Sequence, residues 1–271
     1  MSKKTEEKLK ALKNELSKYD KLIIAYSGGL DSGLLLKVAQ MVLGEKVLAV
    51  ISGSPSIPRK ELDDAIRFAR ENGARVKVIN TNELDNENYR QNPDERCYYC
   101  KNELYFNIEK IAKEEGIRYI ANGTNLDDLG DYRPGLKAAA EHSVVSPLRD
   151  AKLTKEDIRK VAHKLGLNIW DKPASPCLAS RIPYGEPVTR EKLAQVEKAE
   201  DYVKSFGIKE LRVRHFGDKA VLEVNPSCRE TVEANFEKIR QEFVKLGFKH
   251  TEIKDFESGS LNKLIGINAK K

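Results

Sequence analysis

Six residues, Ser27-Gly-Gly-Leu-Asp-Ser32, carry the clearest chemistry in the chain. They follow the apolar run Leu22-Ile-Ile and the pair Ala25-Tyr26, and precede the helical-looking Leu34-Leu-Leu-Lys-Val-Ala39. Glycine has no Cβ, so Gly28 and Gly29 let the backbone turn sharply and come close to an anion. The helix start that follows offers unpaired N–H groups and the positive end of a dipole. The pattern is a phosphate cradle between a buried strand and a helix. A Walker loop needs G-x-x-x-x-G-K-[ST], and Asp31-Ser32 stands where its Lys-Ser/Thr pair belongs. Phosphoryl transfer of the kinase kind is therefore disfavoured. A tight turn capped by Ser27 or Asp31 would leave two glycines, two serines and an acid in one frame unexplained.

Two further strand ends join the cradle. Asn122-Gly-Thr-Asn-Leu-Asp-Asp128 follows the strand-like Tyr119-Ile-Ala121. Gly123 permits close approach to a nucleotide, and Asp127 and Asp128 offer oxygens to a divalent metal. Asn-Gly is also an ordinary turn, so this motif gains its weight from the cradle beside it. Ser52, in Ile51-Ser-Gly-Ser54, is placed to meet a base or ribose.

Cys97-Tyr-Tyr-Cys100 lies just before a helix, after the turn-rich Asn92-Pro-Asp-Glu95. A redox pair, half of a zinc site and two ligands of an iron–sulfur cluster all fit this spacing. A Cys₄ zinc site wants a second C-x-x-C, and the chain has none. A third thiol, Cys177, sits in a long loop, and Cys228 lies near a later helix start. Three cysteines on loops above one sheet edge could hold three irons of a cubane cluster and leave the fourth open. Arg181 follows Cys177 by four residues, while Arg212 and Arg214 are two apart on a strand and share a face; such a group suits a bidentate anion site. Arg133 and Lys137 add charge after the acid pair, and Glu200 and Glu223 are candidate metal or substrate groups. His142, His163, His215 and His250 show no metal-ligand spacing and read as structural.

The elements that must position these residues alternate. Helical spacing over 5–19 is followed by strand-like runs at 22–26, 46–51, 75–80 and 117–121, with helical patterns between them. This predicts βαβ units, hence a parallel sheet covered on both faces, whose ligands bind beyond the strand C-termini. A helix over 154–165 opens on the capping-box-like Thr154-Lys-Glu-Asp157. The Pro- and Ser-containing segment 171–185 reads as a long functional loop. From about 189 the pattern becomes helix, strand 211–216, strand 220–224, helix 229–245 and strand 249–253. The division expected is a nucleotide domain over 1–184 and a small α+β domain over 185–271.

A chain of 271 residues buries a sizeable core. Its net charge of +6 suits phosphate-bearing small molecules without demanding nucleic acid. No apolar run approaches the roughly 18 residues of a membrane span, and the N-terminus lacks the apolar core of a secretory signal. The expected compartment is the cytoplasm, where cysteines serve as ligands or reactive thiols rather than staples.

The Ser27–Ser32 frame resembles the PP-loop ATP pyrophosphatases, which cleave ATP between the α and β phosphates and adenylate an acceptor. That resemblance implies that Ser27, Gly28, Gly29 and Ser32, at the end of the Ala25 strand, hold pyrophosphate while Asp31 helps place Mg²⁺. Taken with Asp131-Tyr-Arg-Pro-Gly-Leu-Lys137, Ala174-Ser-Pro-Cys-Leu-Ala-Ser-Arg-Ile-Pro-Tyr-Gly185 and Arg212-Val-Arg214, the chain is similar over nearly its whole length to the LarE family. This implies an adenine nucleotide α-hydrolase-like domain and ATP-dependent sulfur transfer to pyridinium-3,5-biscarboxylic acid mononucleotide, on the way to the nickel-pincer nucleotide of lactate racemase. It further implies that Gly123 and Asp128 meet the nucleotide, and that Arg133, Arg181, Arg212 and Arg214, with Glu200 and Glu223, hold the substrate. One branch of the family sacrifices the sulfur of a single cysteine matching Cys177, and the other carries sulfide on a 4Fe-4S cluster held by three cysteines. Cys97, Cys100 and Cys177 imply the second. The resemblance also implies a sulfide donor and a homo-oligomer. The competing expectation is a PP-loop tRNA thiolation enzyme, which should carry an RNA-binding appendage or a denser basic face.

Overall fold

The computed structural model describes residues 3–130, 134–257, 260–261 and 266. In chain order the elements are α1 (Lys3–Leu16), β1 (Leu22–Ala25), α2 (Leu30–Leu43), β2 (Val47–Ser52), α3 (Arg59–Glu71), β3 (Arg75–Ile79), α4 (Glu87–Arg90), α5 (Arg96–Glu115), β4 (Tyr119–Ala121), α6 (Pro134–Glu141), α7 (Pro147–Asp150), α8 (Lys155–Lys164), α9 (Arg190–Lys204), β5 (Leu211–Phe216), β6 (Lys219–Val224), α10 (Arg229–Ala234), α11 (Phe236–Lys245) and β7 (His250–Asp255). They form two compact units. The first comprises Met1–Ser54, Arg59–Glu83 and Glu95–Ser175, and the second comprises Pro55–Pro58, Leu84–Asp94 and Pro176–Lys271.

The first unit is built on a parallel sheet of order β3-β2-β1-β4. Each residue of β1 is buried, as a strand covered on both faces requires. Ile23 and Ala25 of β1, with Leu48 and Val50 of β2, pack on Leu104, Tyr105 and Ile108 of α5 and on Ala138 and Ala139 of α6. The chain runs from β1 outward to β3 and then returns to the other side of β1. The strand order therefore reverses between β1 and β4, which opens a crevice beyond their C-terminal ends. Both glycine-bearing loops leave from there. The capping box on α8 forms as read: Thr154 Oγ1 accepts from Asp157 N at 3.2 Å and Asp157 Oδ2 accepts from Thr154 N at 3.1 Å.

The second unit holds a sheet of order β5-β6-β7, antiparallel then parallel. Val213, Leu222 and Val224 pack with Val203 of α9 and with Ile239 and Phe243 of α11. The helix expected over 229–245 is broken in two at Asn235, whose Nδ2 donates back to Thr231 O at 2.9 Å. An asparagine that satisfies a terminal carbonyl ends a helix that hydrophobic spacing alone would continue. Among the described residues, no helix is long and apolar enough to cross a membrane.

Candidate active site

The cradle forms where β1 ends. Tyr26 N donates to Val50 O at 2.9 Å and prolongs the ladder by one residue. The chain then turns because Gly28 takes φ +73°, and a Cβ there would lie 2.5 Å from the Cβ of Ala65 on α3. Only glycine combines that conformation with that approach. Gly29 caps α2 with no side-chain hydrogen bond, so the helix N-terminus faces the loop as anion sites do. The serines close on one another: their hydroxyls lie 3.0 Å apart, Ser32 Oγ accepts from Ser27 N at 3.3 Å, and it donates to Gly29 O at 3.3 Å.

Two lysines that sequence reasoning missed flank this loop. Lys155 Nζ donates to Asp31 Oδ1 at 2.7 Å and to Oδ2 at 2.6 Å. Its backbone N–H donates to Asp127 Oδ2 at 2.7 Å. Lys172 Nζ donates to Gly28 O at 3.1 Å and pairs with Glu61 at 2.7 Å. The one available signal was indirect: the six-residue frame holds an acid and no base, so a cation had to come from elsewhere.

The β4 loop packs directly on the cradle. A Cβ on Gly123 would lie 2.9 Å from Ser32 N. Asn122 Oδ1 accepts from Thr124 N at 3.1 Å and Ser146 Oγ at 3.0 Å. Asp128 Oδ2 accepts from Asn125 N at 3.0 Å. The acids of this motif thus shape the loop and fix Lys155. At the end of β2, Ser52 Oγ lies 2.7 Å from Thr81 Oγ1 and accepts from Ser54 N at 3.1 Å. Ser54 Oγ donates to the buried Glu83, whose other oxygen has no partner among the described residues. The Tyr26 hydroxyl is likewise buried without a partner among the described residues, and burial pushes its pKa well above the ordinary tyrosine value. Ala25, Ser27, Gly28, Gly29, Asp31, Ser32, Ser52 and Gly123 therefore share one end of the parallel sheet.

Cys97 and Cys100 occupy the first turns of α5, one exposed and the other half-buried. Three residues apart, they lie on one helix face, and a helix N-terminus favours thiolate. Cys177, half-buried, precedes the turn Leu178–Arg181 in the second unit. None of the four cysteines is in a disulfide. Among the described residues, no three His, Cys, Asp or Glu side chains are gathered as a metal site. The donor chemistry fits the implied groups nonetheless: soft thiolates suit cluster iron, and the Asp31 carboxylate suits Mg²⁺.

In the second unit the arginines are not equivalent. Arg181 meets Glu200 through Nε at 2.8 Å and Nη2 at 3.1 Å, while its Nη1 donates to Pro176 O at 2.5 Å and Cys177 O at 3.0 Å. Arg214 meets Glu223 Oε2 at 2.9 and 2.7 Å and donates to Ser180 O at 2.8 Å. Glu200 and Glu223 are thus arginine partners, and both pairs brace the loop around Cys177. Arg212 has no carboxylate partner among the described residues and stacks its guanidinium 4.6 Å over Phe256. Burial, then the charges of Arg214 and Arg181, push its pKa down to about 10. Arg133 lies outside the described residues.

A serine–glycine cradle at the switch point of a parallel sheet, feeding a helix N-terminus, defines a PP-loop nucleotide domain. Residues 4–105 match a family model described as NAD synthase. The chain is 40% identical to an uncharacterized protein of Synechocystis sp. over 96% of this chain and 98% of that one. It is 36% identical to the pyridinium-3,5-bisthiocarboxylic acid mononucleotide synthase of Lactiplantibacillus plantarum over 92% of each chain. An uncharacterized protein of Methanocaldococcus jannaschii is 34% identical over 89% of this chain and 93% of its own. The chain belongs to the LarE family of ATP-dependent sulfurtransferases.

Proposed function

We propose that this enzyme adenylates a carboxylate of pyridinium-3,5-biscarboxylic acid mononucleotide and converts it to a thiocarboxylate, in the assembly of the nickel-pincer nucleotide. The observation that carries the reading is the Ser27–Ser32 cradle in a chain alike over nearly its full length to a synthase of that bisthiocarboxylic product. The Ser27 and Ser32 hydroxyls and the α2 N-terminus hold the pyrophosphate portion of ATP. Asp31 is the oxygen ligand offered to Mg²⁺, while Ser52 and Gly123 line the nucleotide on either side. A substrate carboxylate oxygen attacks the α phosphorus, and the bond to the bridging oxygen breaks with its electron pair leaving on pyrophosphate. Arg212, lacking a carboxylate partner, is the residue best suited to the phosphate of the mononucleotide.

For sulfur delivery the proposed ligands are Cys97, Cys100 and Cys177. A 4Fe-4S cluster bound there supplies an iron with an open position for sulfide. Arg181 and Arg214, through carbonyls of the loop, hold Cys177 in place. The same reading makes the protein a cytoplasmic homo-oligomer fed by a sulfide donor, with no nucleic-acid partner. Anaerobic purification with iron and sulfide quantification tests the sulfur route. The expected protein is brown and loses its absorbance in Cys97→Ala. An iron-free protein whose mass after turnover has lost the Cys177 sulfur contradicts it.

A further inference from the structure

A thiol carried on a loop points in one direction only if the loop is fixed on both sides of it. On the near side of the turn after Cys177, Arg181 holds the carbonyls of Pro176 and Cys177. The far side, 182–188, belongs to no helix or strand, yet its carbonyls converge on one residue of another segment. Asn92 Nδ2 donates to Ile182 O at 3.2 Å, to Pro183 O at 2.6 Å and to Glu186 O at 3.0 Å. The backbones are stitched beside it: Gly185 N donates to Asn92 O at 3.0 Å and Val188 N to Arg90 O at 2.9 Å. A further anchor lies next to the thiol. Leu178 N donates to Ser56 O at 2.7 Å, and the Ser56 hydroxyl lies 2.7 Å from that of Tyr89. All of these residues belong to the second unit.

Nothing in an ordinary turn asks this of Asn92. A turn asparagine is commonly exposed, whereas this side chain is fully buried. Its φ of +55° is left-handed, a conformation that few residues other than glycine adopt and that a following proline further discourages. A backbone held against its preference by over-determined surroundings is a pointer to function. The amide has only two N–H groups, and here three loop carbonyls share them.

We propose that Asn92 is the positioning residue of the sulfur-delivering thiol: its amide locks Ile182–Glu186, and so presents Cys177 in one orientation. It acts through the loop. The assignment rests on the reading that Cys177 takes part in sulfur delivery, and it holds for either sulfur route, because both use that thiol.

The test reads the thiol itself. In the full chain, Cys97→Ser/Cys100→Ser/Cys228→Ser leaves Cys177 as the one cysteine, and iodoacetamide labelling followed by intact mass gives its rate. Into this protein are placed Asn92→Gly, which keeps the left-handed backbone and removes the amide, and Asn92→Asp, whose carboxylate faces the three carbonyls as an acceptor. Each should label about tenfold faster or more, the opening expected when a buried hydrogen-bond donor is lost. AMP affinity, which reports the first unit, should be unchanged. A residue that serves stability alone would lower the melting temperature and leave labelling well below the melt as it was. Unchanged labelling in a variant that keeps its AMP affinity therefore overturns the assignment. If neither variant folds, hydrogen exchange in the unaltered protein decides. The Gly185 and Val188 amides should then exchange as slowly as those of β5 and β6, and exchange as fast as an open loop overturns the assignment. Labelling and exchange involve no sulfide, iron or pyridinium substrate, so their failure removes Asn92 and leaves the proposed reaction to be judged by its product.

Discussion

Glu200 accepts both Nε and Nη2 of Arg181, and its Oε1 also accepts Val213 N at 3.1 Å. The two side chains are 5% and 1% exposed, so this carboxylate ties the loop after Cys177 to α9 and β5 from inside the second unit. Removing one member of a buried pair strands the other charge, at a cost of about 3–5 kcal/mol. Glu200→Ala should lower stability by that amount in urea unfolding, and Arg181→Met/Glu200→Leu should recover most of it. A loss below about 1 kcal/mol for Glu200→Ala would show that the pair does not brace the loop.

Gly123 is the corresponding pivot of the first unit. A methyl group there must push on the Ser32 amide, and overpacking of this kind costs about 1–3 kcal/mol. The larger effect should fall on function, because the displaced atoms belong to the cradle itself. Gly123→Ala should raise the KM for ATP about tenfold or more. Unchanged ATP kinetics would mean that the β4 loop does not shape the nucleotide site.

Much of this was readable beforehand, for reasons that differ by element. The cradle was legible because glycine, hydroxyl and acid must be adjacent in sequence to surround one phosphate. The strands β1 and β2 were legible because burial on both faces yields unbroken apolar runs, and the edge strand β3 because Val76 and Val78 alternate with charged residues. Lys155 was not, since an ion pair between positions 124 residues apart leaves no local pattern. Two neighbouring acids likewise do not disclose that Asp127 accepts from Lys155 N and Asp128 from Asn125 N. Nor does strand periodicity tell Arg212 from Arg214: both face one side, and although the register sets Arg212 opposite Glu223, it is Arg214 that reaches diagonally to that carboxylate.

Arg212 should behave as a binding residue rather than a structural one. Arg212→Ala is expected to change stability by less than about 1 kcal/mol and to raise the KM for the mononucleotide about tenfold or more with kcat largely kept. Because its pKa is lowered to about 10, it is cationic at neutral pH. Substrate affinity should therefore weaken as pH rises through that value. Steady-state kinetics across pH 7 to about 10.5 would register this, and a KM equal to that of the wild type would remove Arg212 from the site.

His215 links the second unit to pH in the opposite sense. It is buried with Nε2 2.8 Å from Gln195 Oε1 and, among the described residues, with no side-chain or backbone partner on Nδ1. Burial first, then the nearby Lys192 charge, lower its pKa below the ordinary 6.5, against a smaller opposing pull from Glu186. The neutral ring is the folded form, so its contribution is complete above the unfolded value and is lost as pH falls below about 6.5. Wild-type stability should drop between pH 7.5 and 5.5 more than that of His215→Gln, as read by urea midpoints. Parallel pH profiles for the two proteins would contradict this.

The central claim is tested most directly by the mass of the product. Protein purified and assayed anaerobically is given ATP, Mg²⁺, sulfide and pyridinium-3,5-biscarboxylic acid mononucleotide. The expected result is exchange of one carboxylate oxygen for sulfur, with one AMP and one pyrophosphate released for each thiocarboxylate formed. Release of ADP and phosphate, or an unaltered mononucleotide beside thiolated tRNA when tRNA is supplied, would contradict the account.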